Sequence, residues 1–228
     1  MLERRKKISR KQIKEDRLVT TYYKAIEFYQ KYQAKIFIGI GAVALVVVAI
    51  ILISNKKAND NQIASALIAK IMPAYDAGSF KEAIEGIKPS NTMGFKAIVD
   101  KYGSCEQGES AKIFLANAYA VTGDNETALK MYDDYSGSNP IFKASSLAGK
   151  AGCLESKKDY EKAAVLYRDA AKVTKDNPSN SDYLLRAGID LIKLGKKEEA
   201  KSVFDTIKSD YKESSAATEL ERYLIQII

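Results

Sequence analysis

Residues 123–132 read GDNETALKMY, and the same phrase returns as GSFKEAIEGI at 78–87, KDYEKAAVLY at 158–167 and GKKEEAKSVF at 195–204. Each copy opens on a turn residue and carries an alanine, then a bulky apolar residue one helical turn later: Ala83/Ile87, Ala128/Tyr132, Ala163/Tyr167 and Ala200/Phe204. That step puts both residues on one helix face. The alanine marks the closest crossing of a partner helix, where a longer side chain has no room, and the bulky residue fills the space beside it. Glycine opens three of the copies, because a chain leaving one helix for the next passes through a positive φ that glycine tolerates.

Working outward, apolar residues recur at steps of three and four, and the breaks between them are short clusters of Gly, Asn, Asp, Ser and Pro. The pattern predicts helices near 60–77, 79–88, 92–102, 109–122, 124–136, 141–157, 159–174, 180–194, 196–210 and 214–227, with strand signals almost absent. Residues 54–61 read as a polar break ahead of the first of these.

The phrase resembles the tetratricopeptide repeat (TPR). Its fullest copy is Leu115-Ala116-x2-Tyr119, Ala128-x3-Tyr132 and Pro140, similar to the L-G-x2-Y, A-x3-F and P of that family. Lys112 stands where the family has tryptophan, and Lys158 replaces glycine in the third copy. The alanines lie 45, 35 and 37 residues apart, against a family repeat of about 34. The excess in the first interval is the segment NTMGFKAIVDKYG at 91–103, which reads as an extra short helix stopped by Gly103. The resemblance implies an all-α fold, a TPR-type α-solenoid of about four helix pairs with a final capping helix.

Ahead of the repeats, residues 36–53 read IFIGIGAVALVVVAIILI, eighteen residues without charge, proline or polar side chain. As a helix they cover roughly 27 Å, the thickness of a bilayer's hydrocarbon. A cleaved signal peptide has a short leader and a small-residue cleavage site; here the leader is 35 residues and the run ends in Ser-Asn-Lys-Lys. A buried core helix would show a polar face. The reading is a retained transmembrane helix at 36–54, between an N-terminal segment 1–35 and a repeat domain 55–228.

The net charge of +7 lies entirely in residues 1–35, with eleven Lys/Arg against four Asp/Glu. Basic residues beside a span stay in the cytosol, so the expected topology puts the N-terminus inside and the repeat domain outside. Residues 1–17 are too charged to build a core and read as a mobile tail. Leu18, Tyr22, Ile26, Tyr29 and Tyr32 then suggest an amphipathic juxtamembrane helix whose tyrosines sit among lipid headgroups. Arg4, Arg5, Lys6, Lys7, Arg10 and Lys11 could meet nucleic-acid phosphates, but no recognition motif accompanies them and retention in the cytosol explains them without that partner.

This layout of basic tail, uncleaved span and repeat domain resembles the YfgM-like membrane-anchored TPR proteins of bacteria, and MGFKAIVDKYGSCEQGESAKIFLANAY at 93–119 is similar to the part of that family entering the second repeat. The resemblance implies a subunit ancillary to the Sec translocon, anchored in the bacterial inner membrane, with its repeat domain in the periplasm beside periplasmic chaperones.

The chain contains no histidine, which removes the commonest general base and the commonest transition-metal ligand. No nucleophile motif or phosphate loop is present, and adjacent acids such as Asp133-Asp134 and Glu198-Glu199 diverge by about 100° on a helix. The expectation is a non-enzymatic protein without catalytic residues, metal, cofactor or small-molecule substrate. Cys105 and Cys153 both follow the span; in an oxidising compartment they could pair, while Cys153, set among small residues, reads as a packed thiol.

In a repeat stack the first helix of each pair faces a concave groove. The register there predicts Ile68, Met72 and Tyr75; Ile113, Asn117 and Ala120; Ala148, Gly152 and Glu155; and Leu185, Ile189 and Ile192. TPR domains that grip a C-terminal carboxylate place several cations on this face; of those residue types only Asn117 is comparably placed. The leading function is a membrane-anchored scaffold that binds a protein partner in the groove. The alternatives are a structural adaptor of a division or outer-membrane assembly complex, or a basic-tail binder of nucleic acid or acidic lipid.

Overall fold

The computed structural model describes residues 10–226, with side chains from Val19 onward. The fold is nearly all-α, in two compact units, one up to Lys56 and the other from Lys57. Helix α1 runs Arg10–Asp76 and is the one helix among the described residues long and apolar enough to cross a membrane. Phe37, Ile38, Leu45, Ile50 and Leu52 all stand exposed along it.

Two expectations give way in α1. The tail expected at 1–17 is helical from Arg10, the rest lying outside the described residues, and the polar stretch 54–61 does not interrupt the helix. Residues 10–35 and 42–72 contain no glycine or proline and are rich in Lys, Glu, Gln, Ala and Asn. Polarity alone does not end a helix; a residue that cannot hold its backbone does.

Past α1 come α2 (Phe80–Glu85), α3 (Phe95–Tyr102), α4 (Glu106–Val121), α5 (Asn125–Asp133), α6 (Pro140–Ser156), α7 (Tyr160–Lys172), α8 (Asn180–Lys193) and α9 (Lys197–Asp210). From α3 to α9 the boundaries fall within three residues of those predicted. The helix expected at 79–88 stops early: Gly86, at φ 96°, turns the chain into β1 (Gly86–Ile87), which pairs antiparallel with β2 (Thr92–Met93) around a tight turn containing Pro89. Ile87 is therefore a strand residue, and Ala83/Ile87 is not a helical pair. The last predicted helix divides into α10 (Ser215–Glu219) and α11 (Glu221–Leu224), with residues 227–228 outside the described range.

One turn is built four times. Gly78, Gly123, Lys158 and Gly195 take φ values of 75°, 90°, 62° and 74°. The amide after each bonds back across the turn, Ser79 to Ala74 O, Asp124 to Tyr119 O, Asp159 to Leu154 O and Lys196 to Leu191 O, at 2.9–3.0 Å. This satisfies a carbonyl left over at the end of the preceding helix. Asp124 and Asp159 then cap α5 and α7, accepting from Thr127 N at 3.0 Å and Lys162 N at 3.3 Å.

Ala83, Ala128, Ala163 and Ala200 are all fully buried. Neighbouring helices pack in sequence order, α4 on α5, α5 on α6, and so on to α8 on α9. The core runs through three clusters: one around Ile71, Phe95 and Ile98, a second around Ile113, Ala128 and Tyr132, and a third around Tyr167, Phe204 and Leu220.

Candidate functional site

Helices α4, α6 and α8, alternate members of the sequence of packed pairs, together line a groove of about 880 Å³. From α4 come Asn117, Ala120 and Val121; from α6, Ser145, Ala148, Gly149, Gly152 and Glu155; from α8, Asp182, Tyr183, Leu185, Arg186 and Ile189; and the far end is closed by Glu219 and Tyr223. A smaller hollow of about 530 Å³, between residues 175–178 and 209–214, gathers no repeat-equivalent positions.

Seven of the residues predicted from register line this groove: Asn117, Ala120, Ala148, Gly152, Glu155, Leu185 and Ile189. The others lie elsewhere. Ile68, Met72 and Tyr75 pack into the cluster that contains Phe95 and Ile98, on the extra helix α3. Tyr75 sits within 5.4–5.8 Å of the rings of Phe80, Phe95 and Phe114. Ile113 is 1% exposed and packs with Ala116, Ala128, Tyr132 and Cys153. Ile192 packs in the cluster of α7 to α9.

The floor comes from residues the register did not assign to it. Tyr132 and Tyr167, the bulky residues of two repeat phrases, are each 2% exposed but turn their hydroxyls to the groove helices. Tyr132 donates to Asn117 Oδ1 at 2.6 Å, and Tyr167 to Glu155 Oε2 at 3.2 Å. Burial pushes both phenols well above their ordinary pKa, so both remain neutral donors. The readable signal was tyrosine where the fourth copy has phenylalanine: a buried hydroxyl requires a partner.

Those bonds commit polar residues that looked free. Asn117 is held by Tyr132. Glu155 accepts from Lys193 Nζ at 2.7 Å and faces Arg186 at 3.7 Å. Lys193 also reaches Asp190 at 3.0 Å and lies 4.6 Å over the Tyr160 ring. The lining mixes small and apolar side chains, Ala120, Ala148, Gly152, Leu185 and Ile189, with these engaged polar groups.

Among the described residues no group of His, Cys, Asp and Glu is placed to hold a metal. Cys105 and Cys153 are buried free thiols, and burial pushes the Cys153 thiol up, which disfavours the nucleophilic thiolate. No protein-family profile matches the chain, and no curated protein matches it.

Proposed function

We propose that this chain is a non-enzymatic, single-pass membrane protein whose helical unit is a TPR-type solenoid that binds a segment of a protein partner in its groove. The observation that carries the reading is the groove's construction. The alternate helices α4, α6 and α8 contribute to one groove, and each is followed by the same kind of turn, at Gly123, Lys158 and Gly195. The exposed apolar side chains along 36–53 fit burial in lipid. The basic residues ahead of them favour a cytosolic N-terminus with the repeat unit outside, and the YfgM-like resemblance makes that outside the periplasm of a bacterial inner membrane. The YfgM-like resemblance makes the Sec translocon and periplasmic chaperones the first partners to test.

The test is site-specific photo-crosslinking in native membranes. A crosslinker at Ala148 or Ile189 faces the groove, whereas one at Val165, 50% exposed on α7, does not line it. Partner adducts from the groove positions and none from Val165 support the reading, and mass spectrometry of the adduct separates a translocon partner from a division or outer-membrane assembly complex. Adducts from Val165 alone overturn it. External protease on spheroplasts should digest the repeat unit; protection reverses the topology.

A further inference from the structure

On the reading that the groove holds a protein segment, we infer that the segment carries a lysine or arginine side chain, seated at the α8–α11 end between Asp182 and Glu219 and against the rings of Tyr183 and Tyr223.

Charge selects the occupant. The groove lining contains three carboxylates, Glu155, Asp182 and Glu219, and one cation, Arg186. Glu155 is already matched by Lys193 at 2.7 Å and Arg186 at 3.7 Å. Arg186 follows Asp182 by one helical turn, a spacing that suits an ion pair, yet it turns to Glu155 instead. Asp182 and Glu219 are both exposed and, among the described residues, neither forms an ion pair, so two carboxylates of the lining are left without a cation.

Tyr183, next to Asp182, and Tyr223, one turn after Glu219, also line the groove, half-buried against the cluster of Tyr167 and Phe204, with the Tyr223 ring 6.5 Å from that of Phe204. An aromatic face attracts a cation through its quadrupole, and a carboxylate attracts it through charge, so the two kinds of group favour the same ligand. A C-terminal carboxylate is disfavoured, since the one lining cation is engaged by Glu155. Ala120, Ala148, Gly152 and Ile189 of the same lining accept small or aliphatic side chains beside the basic one.

The experiment uses the full chain in uncharged nanodiscs and short fluorescent Ala/Leu peptides whose central residue is Lys, Arg, Gln or Glu, read by anisotropy. The Lys and Arg peptides should bind about tenfold or more tighter than the Gln and Glu peptides. Added salt should weaken only the former, and Asp182→Asn with Glu219→Gln should abolish the difference. Ser145→Trp, which fills the groove, should stop binding of every peptide; where it lowers helix content, Ala120→Trp replaces it.

Equal binding of Lys and Gln peptides, tightest binding of Glu, or no binding of Lys and Arg peptides overturns the inference. Binding that ignores charge but is blocked by the filled groove removes the cation and keeps the groove. Binding that ignores the filled groove removes both. Dimerisation of the chain that displaces the peptides assigns the surface to a second copy and also overturns the inference.

Discussion

Gly149 of α6 lies so close to the ring of Tyr132 that a Cβ there would overlap its hydroxyl-bearing end. The tyrosine can reach Asn117 because the helix facing it has no side chain at that point. Gly152, one turn along, is different: a Cβ there would sit 3.5 Å from the Tyr167 hydroxyl, an ordinary contact. The same substitution at two glycines of one helix should therefore have opposite effects.

Gly149→Ala should destabilise the chain by about 1–3 kcal/mol through overpacking. Gly152→Ala should stabilise it by roughly 0.5–1 kcal/mol, because alanine orders a helix interior better than glycine. Urea melts of the detergent-solubilised protein measure both. Equal effects of the two would mean that Tyr132 is not held as described.

Lys158 occupies the left-handed position that glycine takes in the other three turns, at φ 62°. A side chain in that region is strained by about 1–2 kcal/mol. Lys158→Gly should recover about 1 kcal/mol, while Gly123→Ala, at φ 90° with nothing near its added Cβ, should lose a similar amount through backbone strain alone. Midpoint shifts of the same sign for both would contradict the common turn geometry.

Asp190 is fully buried, with one oxygen 3.0 Å from Lys193 Nζ and the other without a hydrogen-bond partner. Burial pushes its pKa up to about 6; Lys193 opposes this and Glu155 reinforces it. The folded chain therefore holds this proton more tightly than the unfolded chain, where aspartate titrates near ~3.9. The stabilisation is fully present below about pH 4 and is lost as pH rises through about 6. Relative to Asp190→Asn, the wild type should lose roughly 3 kcal/mol across that window. Parallel stability profiles for the two would exclude Asp190 as the titrating group.

Glu109 shows the opposite sign. Burial raises its pKa, but bonds from Lys112 Nζ at 2.7 Å and from Ser136 N and Oγ at 2.8 and 3.0 Å outweigh it and hold the carboxyl below its usual range. The folded state favours the charged form, so this stabilisation is present above the unfolded pKa and disappears as pH falls through the lower folded value. Glu109→Gln weakens the tie between α4 and the loop entering α6, and should lose about 1.5–3 kcal/mol at neutral pH, less in acid. A constant difference from neutral pH into strong acid would assign the loss to packing rather than charge.

The sequence made the helices legible wherever a breaker and a cap coincided, as at Gly123-Asp124 and Asn139-Pro140. It was misleading where polarity stood in for a breaker, at 54–61, and where Gly86 acted inside a helical pattern. Register located groove residues on α4, α6 and α8 because those helices share one repeat geometry. It did not carry back to Ile68, Met72 and Tyr75, because the inserted hairpin and α3 change what the first helix packs against. Ile113 and Ile192 show a finer limit: three or four positions along a helix from a lining residue can already face the core. Glu219 and Tyr223 lie past the last repeated phrase, where the register has no counterpart, and Asp182 sits one turn before Leu185, short of the three positions the register named on α8.

The packing of each helix on its neighbours in the chain keeps most contacting residues close in sequence. Chains with such short loops to close fold quickly, and order can start at any pair and spread to the next. A polypeptide released gradually from one end can therefore consolidate its first hairpins while the remainder is still being delivered. For a domain tethered behind a hydrophobic segment, this shortens the interval in which unpaired helix faces lie open to aggregation or proteolysis.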